Sequence, residues 1–294
     1  MQKEKPGVFY RNFFAMGTRF DLVIPFMDDE KGNELFNEIR KEVQRLEIML
    51  SRFHEGGSTW LLNKNASTGP VKVDQELKDI ILLCREYHAK TKGYFDITIG
   101  ESTTKERKSN IDDILINRKE NTIQFISHSL SLDFGGIGKG YALDCIKLVL
   151  AEQGIDSAFI SFGESSVLGW GSHPHGDSWN MAVENIFVPG ESVYIFHLTN
   201  SSVSVSGNHP KYLKRKGVEG HIYNPFTREV VKGNRLVAVQ SHSASDAEVL
   251  STALISANNL AIHNIIANFA GCYCVEIVFG DDNRNVDITV LNTI

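Results

Sequence analysis

The chain has 294 residues, 42% of them hydrophobic and 22% charged, which is enough for one large domain or two lobes around a substantial core. Its 30 basic and 36 acidic residues give a formal net charge of −6. That balance argues against nucleic-acid binding through a basic surface, while leaving room for a local anion pocket. Apolar runs such as 80–84 and 148–151 fall far short of the ~20 residues of a membrane-spanning helix, so no membrane span, disordered tail or disulfide-stapled miniprotein is expected.

The opening residues, Met-Gln-Lys-Glu-Lys-Pro, contain no apolar signal region and no cysteine for lipidation, which predicts a cytoplasmic protein. Phe14, Met16, Thr18, Phe20, Leu22 and Ile24 share a phase of two and predict an opening strand. Residues 33–53 place Leu35, Ile39, Val43, Leu46, Met49 and Phe53 at three- and four-residue intervals, an amphipathic helix. Asp74 is placed to cap a second helix with Leu77, Ile80, Ile81, Cys84 and Tyr87 on its buried stripe. Residues 101–110 are the most polar stretch and read as a solvated loop.

A third helix is expected over 138–153, stopping at Gly154 in a left-handed cap. Strands follow at 157–162, 179–183, 193–198 and 236–240, then helices at 247–257 and near 260–269, and strands at 274–279 and 286–291. Helices and strands mix without strict alternation, so the fold class is α+β rather than a doubly wound sheet. Cys84, Cys145, Cys272 and Cys274 sit among apolar neighbours without zinc-ligand spacing and predict reduced core thiols.

Three constellations carry chemistry. In Asp133-Phe-Gly-Gly-Ile-Gly-Lys139-Gly-Tyr141-Ala-Leu-Asp144, the glycines at 135, 136, 138 and 140 surround a lysine where a strand meets a helix. Glycine lets backbone N–H groups approach an anion, the helix start is partly positive, and Lys139 adds a full charge. The spacing matches neither a Walker A loop nor G-x-G-x-x-G, and by itself it reads equally well as a tight turn with close helix packing.

In the second, Glu248 and Thr252 are four apart, so a helix puts a carboxylate and a hydroxyl on one face, suited to Mg²⁺. Alone, Asp246 reads as an N-cap and Glu248 as a first-turn acid. The third joins Ser204, Ser206, Asn208 and His209 to His221, Asn224 and Pro225, polar groups in turn-rich sequence that suit a site built on loops. His173-Pro-His175 lacks a third ligand at useful spacing and reads as a loop.

In order along residues 12–257, these segments resemble the ApbE family, flavin transferases that attach FMN from FAD to a protein threonine or serine. The resemblance runs through Phe14-Ala-Met16-Gly-Thr18, Leu50-Ser-Arg-Phe53 with Leu62-Asn63, and Gly93-Tyr-Phe95-Asp96. It continues through the glycine–lysine run, residues 204–207, His221-Ile-Tyr-Asn-Pro225 and Leu250-Ser-Thr252-Ala-Leu254. The resemblance implies one α+β unit, related to the T-fold, whose two interdependent lobes hold FAD and Mg²⁺ (or another divalent metal) between them.

It further implies that Met16, Gly135, Gly136, Lys139, Ser206 and Asn224 contact the flavin nucleotide. The Gly138 carbonyl, Glu248 and Thr252 would hold the metal, and His221 and Lys139 would serve the transfer chemistry. The partners implied are FAD as substrate and a separate acceptor protein with a Thr/Ser flavinylation motif, since no Ser/Thr-Gly-Ala-Thr motif stands in this chain. The same residues would serve FAD hydrolysis to FMN and AMP, or FAD binding without chemistry. Glu248 takes the place of the family's usual aspartate, and the 100–133 region is shorter than usual.

Overall fold

A computed structural model describes residues 7–98, 110–207, 222–280 and 285–292. The chain opens with a hairpin of β1 (Val8–Ala15) and β2 (Thr18–Pro25), followed by α1 (Asp29–Leu50), α2 (Ser58–Asn65), β3 (Val71–Lys72) and α3 (Gln75–Lys90). Next come β4 (Ile114–Asn117), β5 (Thr122–Phe125), α4 (Gly138–Glu152), β6 (Ala158–Phe162) and β7 (Ser166–Trp170). A second hairpin, β8 (Trp179–Glu184) and β9 (Ser192–Leu198), precedes β10 (Ser201–Gly207) and β11 (Arg235–Ser241). The described chain then runs through α5 (Ala244–Ser256), α6 (Asn259–Ile266), β12 (Tyr273–Phe279) and β13 (Val286–Val290). This is the α+β class that the mixed pattern implied.

Eight strands pair antiparallel in the order β1-β2-β6-β7-β10-β11-β12-β13. On one face α1 lies against β1, α4 against β7, and α5 against β10 and β11. The core there includes Leu35, Ile39, Val43 and Leu46 of α1 and Leu143, Ile146 and Leu150 of α4. Each such side chain contributes about 1.5–3 kcal/mol through burial. The β8–β9 hairpin covers the other face, where Trp179, Met181, Phe196 and Leu198 meet Val203, Val205, Leu236 and Ile277. Strand β10 is therefore buried on both sides. Its valines enter the second core, and Ser204 and Ser206 face α5.

Two expectations need correction. The opening strand is a hairpin whose inward phase reverses at Met16–Gly17. Phe9, Phe13 and Ala15 are buried in β1, but Phe20, Leu22 and Ile24 in β2, and Phe14 is 77% exposed. A two-residue tip pairs Ala15 with Thr18 and Phe13 with Phe20, so the inward set passes from odd to even positions. Positive φ at both tip residues, +49° and +74°, suits the right-handed twist of the hairpin. Likewise, Ser204 and Ser206 lie on a buried strand rather than a loop, because their hydroxyls find partners inside the protein.

Smaller differences follow from capping. Helix α1 starts earlier than its apolar stripe because the Asp28 carboxylate accepts the Lys31 N–H, and it ends before Ser51. Helix α5 is capped by Ser243, not Asp246. Gly154 follows α4 with φ +63°, as expected. The four cysteines are unpaired. Among the described residues, no helix is long and apolar enough to cross a membrane.

Candidate functional site

The first turn of α4 packs against the start of α5, and the contact is possible because residue 140 is glycine. A Cβ there would stand 2.5 Å from the Ala244 carbonyl oxygen and 3.0 Å from Glu248 Oε2. The Gly140 N–H donates to Glu248 Oε2, and Lys139 Nζ forms an ion pair with Glu248 Oε1. Glu248 is only 3% exposed, whereas the Lys139 side chain is 21% exposed. The N-cap residue of α4, Ile137, has no side chain that can cap it, and the Glu248 carboxylate meets the first-turn N–H of Gly140 instead. Thus a lysine, a helix start and a buried carboxylate meet at one point.

Helix α5 is seated by Asp144, from the second turn of α4. Its carboxylate accepts the N–H groups of Ala244 and Ser245 at 2.8 and 2.9 Å, with Lys147 Nζ at 2.8 Å. Burial opposes the charge, but Lys147 and those two N–H groups outweigh it and hold the carboxyl below its usual value. Farther round α5, Asp246 accepts from the Tyr87 hydroxyl at 2.7 Å. Burial, reinforced by Asp246, pushes that phenol well above its ordinary range.

Thr252 lies one helical turn beyond Glu248. Its Oγ1 is 3.5 Å from Ser206 Oγ, and Ser206 also meets Ser251 Oγ at 2.8 Å. A Cβ on Gly136 would lie 3.4 Å from Thr252 Cγ2 and 3.2 Å from the Phe95 ring, so the glycine turn passes directly over Thr252.

The turn is held from behind. Asp133 accepts the Gly135 N–H at 2.8 Å and pairs with Arg52 at 3.0 Å. Asn63 grips the Leu132 backbone from both sides, donating to its carbonyl and accepting its N–H. The Ile97 carbonyl accepts the Asp133 N–H at 2.7 Å. Beside it, Asp96 is nearly buried and its carboxyl is raised by burial, despite the opposing effects of Thr98, His88 and Arg228.

Helix α1 links this group to Met16. Glu47 accepts the Met16 N–H at 2.6 Å, and Leu50, one turn later, packs towards Gly138, its Cδ1 lying 3.9 Å from where a Cβ on that glycine would stand.

Lys139, Gly136, Gly138, Ser206, Glu248 and Thr252 are therefore brought together, with Met16 and Gly135 held beside them by α1 and Asp133. Asn224 is tied to the end of α5, one turn beyond Thr252. Its Nδ2 donates to the Ser256 carbonyl at the end of α5, and its Oδ1 accepts from the Phe226 and Thr227 N–H groups, so it organises the turn over 224–229. His221 lies outside the described residues.

The supporting groups that sequence reasoning missed are Glu47, Asp133 with Arg52, and Asp144. Asp144 closes the glycine–lysine run, so its place in the motif was a signal. Glu47 carries none, since it is one of many acids on α1.

Glu248, Thr252 and the Gly138 carbonyl would be the oxygen donors for a small, hard divalent cation, which prefers such ligands. Such a cation would gain Glu248 by replacing Lys139. A separate cluster of Glu42, Glu76 and Cys145 is different: Arg45 pairs with both carboxylates and balances their charge.

The chain is similar to known proteins in both sequence and fold. The FAD:protein FMN transferase of Escherichia coli K12 is 23% identical over 267 residues, covering 82% of this chain and 76% of that protein. The ApbE protein of Thermotoga maritima superposes with a TM-score of 0.80 at 20% identity, covering 96% of each chain. The flavin transferase ApbE of Vibrio cholerae gives 0.79 at 19% identity, covering 97% of each. The ApbE family pattern itself matches residues 16–275, from the hairpin tip through α5 to β12, and so takes in every described element of the site: the chain belongs to the ApbE family.

Proposed function

We propose that this chain transfers FMN from FAD to a Thr or Ser hydroxyl of an acceptor protein, releasing AMP, with Mg²⁺ as the divalent ion. The observation that carries this reading is the convergence of Lys139, the start of α4 and Glu248, with Thr252 one helical turn on and lying against Gly136. A diphosphate suits that place, because a lysine and a helix N-terminus supply positive field within an acidic protein. Family membership and relatives named as FAD:protein FMN transferases support the choice of flavin over other diphosphates.

In the proposed reaction the acceptor hydroxyl oxygen bonds to the FMN phosphorus while the bond from that phosphorus to the AMP phosphate oxygen breaks. Lys139 and the α4 N-terminus bear on the diphosphate and its leaving charge. His221 takes the hydroxyl proton as general base. The Met16–Gly17 tip lies against the flavin, Ser206 borders the nucleotide, and Asn224 fixes the turn that follows His221. Bound Mg²⁺, held by Glu248, Thr252 and the Gly138 carbonyl, would neutralise charge on the diphosphate.

The test incubates the protein with FAD, Mg²⁺ and an acceptor carrying a flavinylation motif. The expected result is AMP release with a mass gain of one FMN on the acceptor. FMN and AMP without acceptor labelling would identify a pyrophosphatase, and tight FAD binding without AMP would identify a flavin-binding protein. Lys139→Ala and Thr252→Ala are each expected to impair FAD use. Wild-type turnover in both would reduce the glycine–lysine run and the α5 face to structural roles.

A further inference from the structure

The two members of the Lys139–Glu248 pair are each wanted by a different ligand. An anionic diphosphate at the α4 N-terminus needs the ammonium, and a divalent cation beside Thr252 needs the carboxylate. In this structure they satisfy each other, and the second Glu248 oxygen is held by the Gly140 N–H. We infer that this ion pair is an exchangeable latch that makes binding of a nucleoside diphosphate and of a divalent cation mutually dependent. The inference rests on the function proposed above.

The physical argument is charge accounting in a buried place. A cation arriving alone must strip Lys139 from Glu248 and leave an ammonium beside a dication. A diphosphate arriving alone must draw Lys139 away and leave a carboxylate that is 3% exposed without its counter-charge. When both arrive, Lys139 passes to the phosphate and Glu248 to the cation, and no charge is left unpaired.

The mobile partner is Lys139, whose flexible four-carbon stem is partly exposed. Glu248 stays in place, because Gly140 and the close helix contact hold it. By linkage, the factor by which each ligand raises the other's affinity is the same.

The test uses the full chain, with Mn²⁺ and ADP as probes, each titrated alone and against the saturating partner by calorimetry and by the electron paramagnetic resonance of free Mn²⁺. In wild-type protein each ligand should raise the other's affinity about tenfold or more. Lys139→Met should bind Mn²⁺ alone at least about fivefold more tightly than wild type, whereas Lys139→Arg, which keeps the pair, should not. Glu248→Gln, which keeps an acceptor for Gly140, should bind ADP alone more tightly while losing the response to Mn²⁺.

Unchanged or weaker Mn²⁺ affinity in Lys139→Met overturns the latch, as does unchanged or weaker ADP affinity in Glu248→Gln. Either result, with acceptor flavinylation intact in the wild-type protein, would leave the transferase reading standing. No binding of ADP or Mn²⁺ by any of these proteins, with no flavinylation, would overturn both. Circular dichroism melts confirm folding, and the two Lys139 variants carry the test if Glu248→Gln does not fold.

Discussion

The carboxylate of Glu248 on α5 accepts from both Lys139 Nζ and the Gly140 N–H of α4, tying the start of one helix to the second turn of another. One oxygen meets a full charge and the other a helix-terminal N–H, so the two bonds answer to different substitutions. Glu248→Ala removes both and leaves a buried donor unmet, at an expected cost of about 1–3 kcal/mol. Glu248→Gln retains an acceptor for Gly140 and should lose less. Urea denaturation of both variants measures the difference, and equal losses would show that the bond to Gly140 carries little.

Gly140→Ala makes the opposite of the usual prediction for a helix interior. Alanine ordinarily favours a helix over glycine by about 1 kcal/mol. Here the added methyl would stand 2.5 Å from the Ala244 carbonyl oxygen, so the helices must separate. A net destabilisation of about 1–3 kcal/mol is expected, the range for overpacking. Thermal melting decides it: a rise in melting temperature would mean that the helices do not need this close approach.

Asp144 and Asp96 should give opposite pH dependences. Asp144 is depressed in the folded protein, so its contribution is fully present above the unfolded value of about 3.9 and is lost as pH falls through the folded value. Asp96 is raised, so its ionisation costs stability above the folded value, and that cost is relieved as pH falls towards the unfolded one. Compared with wild type across acidic to neutral pH, Asp144→Asn should show a stability deficit that shrinks on acidification. Asp96→Asn should show a relative advantage that shrinks in the same direction. Parallel curves for both variants would contradict the assignment.

The helices on the sheet were legible because each buries one stripe: the apolar positions of α1 and α3 fall where the 3.6-residue period puts them. The first hairpin was hidden for a local reason. Its tip, Met16–Gly17, lacks the Asn-Gly or Asp-Gly signature, and apolar residues at even positions continue across it although the buried face reverses. Strand β10 was hidden by composition, since serines mark loops unless a buried group hydrogen-bonds their hydroxyls, and here Ser251 does. In the site, the types and spacing of Lys139, Glu248 and Thr252 were readable. The pairing of Lys139 with Glu248, 109 residues apart, follows only from how α4 crosses α5.

Glu47 should control how firmly the hairpin tip is presented to the flavin. Its Oε1 accepts the Met16 N–H at 2.6 Å, and Met16 holds a left-handed φ of +49° that a side-chain-bearing residue adopts at a cost of about 1–2 kcal/mol. Glu47→Ala releases that tether, and under the proposed function the KM for FAD should rise about tenfold, equivalent to 1.4 kcal/mol, with kcat little changed. Glu47→Gln keeps a carbonyl acceptor and should restore most of the affinity, which a purely charge-based role would not allow. Gly17→Ala attacks the same tip through its φ of +74° and should weaken FAD binding in the same sense. Steady-state kinetics on the three variants, with thermal melts to confirm folding, would refute the tether if Glu47→Ala left the KM for FAD unchanged.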